Sequence, residues 1–342
     1  MKKLFTLLAL IFPFIMNAQI STSGTNNSGT YSSAVGYQTI ASGNYSTAMG
    51  YQTTASESYC TAMGYATAAN GSVSTSMGVS TIASGDGSTA MGNQTTASAN
   101  NSTAMGVGTT ASADFSTAMG YNTTASGDNS TAMGYSTTAS GNYSIATGRE
   151  TTASGKYSIA MGRNTTASDF GSTVIGRYNS SGSSVTNSAT SFSTSNTAFV
   201  IGNGTDSSNK SDAFKVMFNG DTTVSNDLTV SGDVVISSDA RLKSNIVSLG
   251  STLSKLLQID GKSYEMKGKQ KIGVLAQEIQ EVFPELVSED DNEMLAVNYQ
   301  GLVPVLINAL KEQDEKMKEQ QIKYIEQEKR LERLERLVAS MD

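Results

Sequence analysis

The chain has 342 residues, a formal net charge of −7 and no histidine. Charge is unevenly placed, since no Lys or Arg occurs between Lys3 and Arg149. This acidic balance and the nearly uncharged first half argue against a nucleic-acid-binding protein, which needs a basic surface. The missing histidines exclude a Ser-His-Asp triad, and the single cysteine, Cys60, excludes an intrachain disulfide. We predict neither a metal site nor a cofactor.

The first residues are typical of an export signal. Met-Lys-Lys is followed by an apolar run at residues 4–16 and then by Asn17-Ala18-Gln19. A short positive region, a short apolar stretch and a small residue before a polar one predict a cleavable signal peptide, residues 1–18, and a linker at 19–30. No later apolar run reaches the roughly 20 residues that a transmembrane helix needs. We therefore expect an exported product without a membrane-spanning segment.

A 14-residue period dominates residues 31–178. A typical unit is Asn-Ser-Thr-Ala-Met-Gly-Tyr-Ser-Thr-Thr-Ala-Ser-Gly-Asn at residues 129–142. Because the unit is itself doubled, each repeat is predicted to form two short strands joined by two glycine-containing turns. A short fixed period indicates a solenoid in which each repeat buries residues only against its neighbours. One glycine keeps the period in every repeat: Gly36, Gly50, Gly64, Gly78, Gly92, Gly106, Gly120, Gly134, Gly148, Gly162 and Gly176.

Side chains alternate across a strand, so equivalent residues of successive repeats are expected to form ladders. A methionine ladder is expected to be a core or a seam between subunits rather than a binding site. The other interior residues are Ala, Thr and Ser, which bury little apolar area. A single thin roll is therefore expected to have marginal stability, and trimerisation would stabilise it. The ladder comprises Met49, Met63, Met77, Met91, Met105, Met119, Met133 and Met161.

Two outward ladders are the candidate ligand-binding features of the repeats. Stacked aromatic rings can grip a glycan or a protein, but they equally stabilise a sheet by cross-strand stacking, which is the interpretation we favour. The candidate ligand surface consists of Tyr37, Tyr51, Tyr65, Tyr121, Tyr135, Arg149, Arg163 and Arg177. The second ladder consists of Tyr31, Tyr45, Tyr59, Tyr143 and Tyr157.

The Ser-Thr-Ala-Met-Gly and Ala-Ser-Gly units resemble the head repeats of trimeric autotransporter adhesins. The resemblance covers eleven consecutive units and implies a left-handed parallel β-roll in a homotrimer. It does not name a ligand, and a host glycan or a surface protein is the partner that it leaves open. The anchoring of that family is not carried over, because the C-terminal residues resemble a different family.

Residues 179–237 lose the period and are predicted to form a β-rich connector. Short alternating stretches at residues 198–204, 214–216, 227–230 and 233–236 are separated by Gly, Asn or Asp, which predicts four strands.

Four stretches mark the last hundred residues. They are Ser-Ser-Asp-Ala-Arg-Leu-Lys-Ser-Asn-Ile at 237–246, Lys-Ile-Gly-Val-Leu-Ala-Gln-Glu-Ile-Gln at 271–280, Val-Phe-Pro-Glu-Leu-Val at 282–287 and Val-Asn-Tyr at 297–299. In this order they closely resemble the intramolecular chaperone domain at the C-terminus of phage endosialidase tail spikes. The resemblance implies a domain at residues 238–305 that trimerises, helps to fold the fibre ahead of it and then cuts itself off.

The same resemblance implies a self-cleavage site. In that family the chain is cut just before the Ser of a Ser-Asp-x-x-x-Lys motif by a Ser/Lys dyad, and Ser238 and Lys243 match those positions. The cut bond would join Ser237 to Ser238. The composition is compatible, because a nucleophilic serine in a chain without histidine needs an amine base, and a buried lysine can supply it. The alternative is that Ser238 and Asp239 only begin a turn.

A heptad pattern predicts a trimeric coiled coil over residues 306–342. Three glutamines at seam positions weaken the coil but can fix its register and oligomeric state. A weak coil would suit a helper that dissociates after release. The seam positions are Leu310, Met317, Tyr324, Leu331 and Val338, with Leu306, Gln313, Gln320, Gln327, Leu334 and Met341.

These patterns predict a mainly β protein with a parallel β-roll solenoid and a β-rich neck in a homotrimer. A small α+β chaperone domain and a C-terminal coiled coil follow. The expected function is a secreted or cell-surface, adhesin-like fibre, or part of a phage-like fibre, with a self-cleaving chaperone. An ice-binding or glycan-binding solenoid with a purely structural trimerisation domain is the alternative. A glycan-degrading enzyme is disfavoured, because it needs paired carboxylates and acids are sparse in the repeats.

Overall fold

The computed structural model describes residues 23–290 and 293–340, so the predicted signal peptide lies outside the described residues. The chain divides into two compact units, residues 1–232 and 233–342. The described part of the first unit is almost entirely β, and the second unit combines helices with two hairpins.

The first unit is a parallel β-solenoid in which each repeat contributes one long and one short strand. Equivalent strands pair with the repeats before and after, so the long strands form one sheet and the short strands another. This arrangement confirms the predicted solenoid. The long strands are β2 (Ser33–Tyr37), β4 (Thr47–Tyr51), β6 (Thr61–Tyr65), β8 (Thr75–Val79), β10 (Thr89–Asn93), β12 (Thr103–Val107), β14 (Thr117–Tyr121), β16 (Thr131–Tyr135), β18 (Ile145–Arg149), β20 (Ile159–Arg163) and β22 (Thr173–Arg177). The short strands are β1 (Asn26–Asn27), β3 (Ile40–Ala41), β5 (Thr54–Ala55), β7 (Ala68–Ala69), β9 (Ile82–Ala83), β11 (Thr96–Ala97), β13 (Thr110–Ala111), β15 (Thr124–Ala125), β17 (Thr138–Ala139), β19 (Thr152–Ala153) and β21 (Thr166–Ala167).

The interior of the roll, residues 31–178, holds small side chains. In the repeat that begins at β4, the fully buried residues are Ala48, Thr53, Ala55 and Cys60. Most other repeats bury Ala, Thr, Ala and Ser at the same four positions. Because only small groups separate the two sheets, the roll is thin and buries little apolar area in each repeat.

The glycine of the Thr-Ala-Met-Gly motif lies inside the long strand, so its predicted placement in a turn is wrong. Gly106 has a φ of +124°, and a Cβ there would collide with the carbonyl oxygen of Gly120 in the next repeat. Both the backbone conformation and the space therefore exclude a side chain at this position. The bend after the long strand mostly contains a non-glycine residue in the left-handed conformation, such as Gln52. The second glycine of the unit does lie in the bend after the short strand, as predicted, for example Gly43.

The predicted connector begins as a continuation of the roll. β23 (Thr197–Asn203) pairs in parallel with β22, and β24 (Asp212–Met217) and β25 (Thr222–Val224) add antiparallel strands to the same sheet. The strands predicted at residues 227–230 and 233–236 do not form in the described chain. An isolated strand is unstable, and these apolar side chains have no sheet to cover them: Val235 is 87% exposed.

Buried polar side chains hold the loop between β22 and β23. Asp169 is fully buried and accepts hydrogen bonds from the backbone N–H groups of Thr186 at 2.6 Å and Thr197 at 2.8 Å. Asn179 and Asn196 are also buried and bond to the backbone of nearby residues. These bonds satisfy backbone groups where the repeat pattern ends.

The second unit has a small core and one long helix. Its core contains Ile279, Phe283 and Val305, and only the first turns of the long helix reach it. From residue 313 to residue 340 every side chain is exposed. The elements are α1 (Leu253–Leu256), β26 (Lys262–Met266), β27 (Lys269–Gly273), α2 (Ala276–Val282), β28 (Val287–Glu289), β29 (Leu295–Val297) and α3 (Leu302–Ala339).

The helix α3 confirms the predicted long helix, and the seam residue Met341 lies outside the described residues. Among the helices of residues 23–290 and 293–340, none combines the length and the apolar character needed to cross a membrane.

Candidate functional site

The candidate cleavage site lies in an exposed, irregular segment of the second unit. Ser237 and Ser238 precede a single 3-10 turn formed by Ala240–Leu242. The Asp239 carboxylate caps this turn by accepting a hydrogen bond from the N–H of Arg241 at 2.8 Å. The turn closes at Lys243, whose N–H donates to the Ala240 carbonyl at 3.1 Å.

The turn brings Ser238 and Lys243 together. Nζ of Lys243 lies 2.8 Å from Oγ of Ser238, within hydrogen-bond distance. A general base must reach the proton of its nucleophile over this kind of distance. A neutral amine at Nζ would therefore be placed to accept the hydroxyl proton of Ser238.

Asp239 and Arg241 form an ion pair beside the dyad. Nη2 of Arg241 lies 2.7 Å from Oδ2 of Asp239, and Nε lies 3.1 Å from both carboxylate oxygens. The Arg241 side chain and its N–H lower the pKa of Asp239, while the carboxylate raises the pKa of Arg241. No pattern in the sequence pointed to this ion pair, although an Asp directly before a helical turn is a common N-cap.

Both members of the dyad are exposed within one chain. Apolar side chains on either side of them also face solvent, including Val235 at 87% and Leu242 at 72% exposure. Lysine acts as a base most readily when it is removed from water. One chain therefore brings Nζ of Lys243 and Oγ of Ser238 together but leaves them without surroundings that exclude water.

The tyrosines of the two outward ladders stack on one another. In the stacked pairs the ring centroids are 5.0 to 5.2 Å apart and the ring planes lie within 24°. Each inner ring therefore covers the faces of its neighbours, which favours the sheet-stabilising interpretation. Arg149, Arg163 and Arg177 continue the first ladder in register and are exposed.

The methionine ladder lies on the outside of the roll, so the core interpretation is wrong within one chain. Met105 pairs in register with Met91 and Met119, and the long sheet aligns the other methionines in the same column. Met49 remains 44% exposed and Met77 36% exposed. An apolar column that the chain itself does not cover remains a candidate seam between subunits.

In the described ranges, no group of three or more His, Cys, Asp or Glu residues could hold a metal ion.

The chain matches two protein families. The YadA head domain repeat matches residues 28–53, 69–95, 83–109, 97–123, 125–151 and 153–179, and the family described as chaperone of endosialidase matches residues 238–288. The chain therefore contains YadA head repeats followed by an endosialidase-type chaperone domain, in the predicted order. Both families are trimeric, and they occur in extracellular or surface-exposed proteins. No curated protein matches the chain.

Proposed function

We propose that this chain is the precursor of an exported, homotrimeric, adhesin-like fibre with a self-releasing folding chaperone at its C-terminus. One observation carries the proposal: Lys243 Nζ lies 2.8 Å from Ser238 Oγ. The match to the chaperone family, which begins at Ser238, supports it. The roll is the displayed part of the fibre, and residues 238–342 are the released part.

Two uncovered apolar faces support a trimer. The first is the methionine ladder on the roll. The second is the heptad seam of α3, where Leu310 is 69% exposed and Leu331 is 57% exposed. Most helical stability in proteins comes from packing an apolar face, and α3 packs only its first turns. Joining three seams in a coiled coil would bury these side chains.

The chaperone aligns the three chains. Every repeat of the roll presents nearly the same methionine-bearing face to a neighbouring chain. Three rolls could therefore associate one repeat out of register with little loss of free energy. The heptad seam lies outside the repeats and has its own defined register. If the α3 helices associate first, the equivalent repeats of the three rolls would therefore be in register before their methionine ladders come into contact.

The proposed cleavage uses the side chains of Ser238 and Lys243. Oγ of Ser238 attacks the carbonyl carbon of Ser237, and the neutral amine of Lys243 takes the hydroxyl proton. The peptide C–N bond breaks as Lys243 passes this proton to the leaving amine. Water then hydrolyses the resulting ester, leaving a carboxylate on Ser237 and Ser238 as a free N-terminus. Partner chains covering residues 234–236 would exclude water and favour the neutral amine.

Intact-mass analysis of the purified protein tests this proposal. We expect one fragment that ends at Ser237 and a second that spans residues 238–342, both formed without added protease. With removal of the signal peptide, the first fragment begins at Gln19. A product that stays whole, or fragments that end at other residues, would contradict the proposal.

The outward threonines of the short strands favour ice binding as a second candidate function. Six of them pair in register in consecutive repeats and are half-buried. A thermal-hysteresis assay decides between the two functions, because the fibre proposal predicts no hysteresis. The six residues are Thr96, Thr110, Thr124, Thr138, Thr152 and Thr166.

A further inference from the structure

Three arginines form a column along one edge of the roll. Arg149, Arg163 and Arg177 end β18, β20 and β22 and pair in register. Neighbouring strands are about 4.8 Å apart, so the three positions span roughly 10 Å along the roll. Earlier repeats carry Tyr, Val or Asn at this position, so the arginine column begins where the ladder of Tyr121 and Tyr135 ends.

The column concentrates positive charge on adjacent strands, and like charges that face each other across a sheet are destabilising. Glu150 offsets part of this charge, because its carboxylate accepts from Nε of Arg149 at 3.2 Å and from Nδ2 of Asn164 at 2.7 Å. The bonds from Asn164 and then Arg149 lower the pKa of Glu150, so it stays ionised at neutral pH.

The other two arginines keep exposed guanidinium groups. Arg177 donates to the Thr205 carbonyl at 2.8 Å, and Arg163 lies 5.8 Å from the centre of the Tyr178 ring. Neither contact supplies a negative charge. Of the three guanidinium groups, only that of Arg149 bonds to a carboxylate among the described contacts, so the column retains an excess of positive charge.

We propose that this column binds an acidic polysaccharide through carboxylate or sulfate groups. The planar fork of arginine matches such anions with paired hydrogen bonds. Charges repeated along a line suit a linear polymer with repeated anions better than a single small anion. Duplex nucleic acid fits less well, because the whole chain is acidic and the roll has few other basic residues. The inference rests on the proposed function, in which the roll is the displayed part of the fibre.

Glycan binding to the full-length chain tests this inference. The chain carries Ser238→Ala, so both units stay together whether or not the parent chain cleaves itself. The first test variant replaces the three arginines with Gln. The second replaces them with Tyr, which continues the existing stack of Tyr121 and Tyr135 and so favours a folded roll. The control variant removes the same charge from α3 by changing Arg330, Arg333 and Arg336 to Gln. The probes are heparin, hyaluronan, neutral dextran and duplex DNA.

We expect heparin or hyaluronan, but not dextran, to bind the Ser238→Ala chain. Both column variants should bind about tenfold more weakly or worse, since each loses charge-assisted hydrogen bonds, and the α3 control should bind as before. The polymer that binds more tightly identifies sulfate or carboxylate as the preferred anion. Added salt should weaken binding, because the column is exposed.

The inference is overturned if neither acidic polymer binds, if the column variants bind as well as the parent, or if duplex DNA binds as tightly as the glycans. Light scattering that shows loss of the trimer in both column variants, but not in the α3 control, would also overturn it and assign the arginines to subunit contacts. If the unsubstituted chain fails to cleave itself, the glycan binding of the Ser238→Ala chain is unaffected. That failure would contradict only the proposed function.

Discussion

Nζ of Lys243 and Oγ of Ser238 lie 2.8 Å apart across a single 3-10 turn. In the proposed function the bond that is cut directly precedes Ser238, so Ser238 would need no separate site to hold its substrate. Asp239 caps this turn and pairs with Arg241 inside it, between Ser238 and Lys243 in the chain. One chain does not shield these two side chains from water. In the proposed function, cleavage therefore begins only after the trimer has assembled.

Replacing either member of the dyad is expected to leave the chain whole. Ser238→Ala removes the nucleophile, Lys243→Ala removes the base, and Lys243→Arg introduces a guanidinium that cannot accept a proton. We expect cleavage to slow by about a thousandfold or more in each case, measured by intact mass over time. Ser244→Ala and Lys323→Ala are matched controls that should cleave as the parent does. A Ser238→Ala chain that is still cut at this bond would rule out the mechanism.

A charge in the heptad seam tests whether cleavage depends on assembly. Leu310→Asp places a carboxylate on the seam and is expected to prevent both trimer formation and cleavage. Ile322→Asp is the control, because Ile322 is 58% exposed but lies outside the seam positions. Light scattering and intact mass are measured on both variants. A monomeric Leu310→Asp chain that cleaves at the parent rate would show that one chain completes the site.

A charge on the methionine ladder tests the seam between the rolls. Met105→Lys is expected to weaken the trimer by several kcal/mol, because the seam would bury an unpaired ammonium group. Phe115→Lys is the control, since Phe115 is 59% exposed at a bend of the roll. The trimer's thermal stability and mass are compared for the two variants. Equal trimer stability in both would place the seam on another face of the roll.

Gly106→Ala is expected to destabilise the roll by about 1–3 kcal/mol or more, because the new Cβ meets the Gly120 carbonyl and φ is positive. Gly232→Ala is the control, since nothing lies within 4 Å of a Cβ built there. The free energy of unfolding is measured by denaturant titration of both variants. A Gly106→Ala chain as stable as the control would mean that the strands shift to make room.

Glu312 is expected to make the second unit sensitive to acid. Its carboxylate accepts from the Ser251 hydroxyl at 2.7 Å and from the N–H groups of Thr252 and Leu253, and these bonds lower the pKa of Glu312. A lowered carboxyl pKa gives stability that is present above the unfolded value of about 4.3 and lost as pH falls through the folded value.

Thermal melts of the full chain, followed by the helical signal, check this effect between neutral and acidic pH. The stability difference between the parent and Glu312→Gln should be largest at neutral pH and should shrink as pH falls. Glu315→Gln, at an exposed position on the same helix, is the control. Parallel curves for the parent and Glu312→Gln across this range would contradict the assignment.

The sequence by itself determined the periodic parts of this protein. Nearly identical 14-residue units stack best with equivalent residues adjacent, so the parallel pairing of Met105 with Met91 and Met119 could be predicted. The heptad spacing over residues 306–342 in the same way predicted a long helix, which the structure places at Leu302–Ala339. The repeat spacing can be read directly from the sequence, so these elements can be predicted without knowledge of the rest of the fold.

The tertiary structure decided which face of each strand turns inward and where side chains meet. Alternation separates Ala104 from Met105, but only the close approach of the two sheets shows that the small side chain is inside. A spacing of five residues between Ser238 and Lys243 is compatible with many backbone paths. The 3-10 turn capped by Asp239 selects the one that joins them, because it turns the backbone back and brings the two side chains into hydrogen-bond distance.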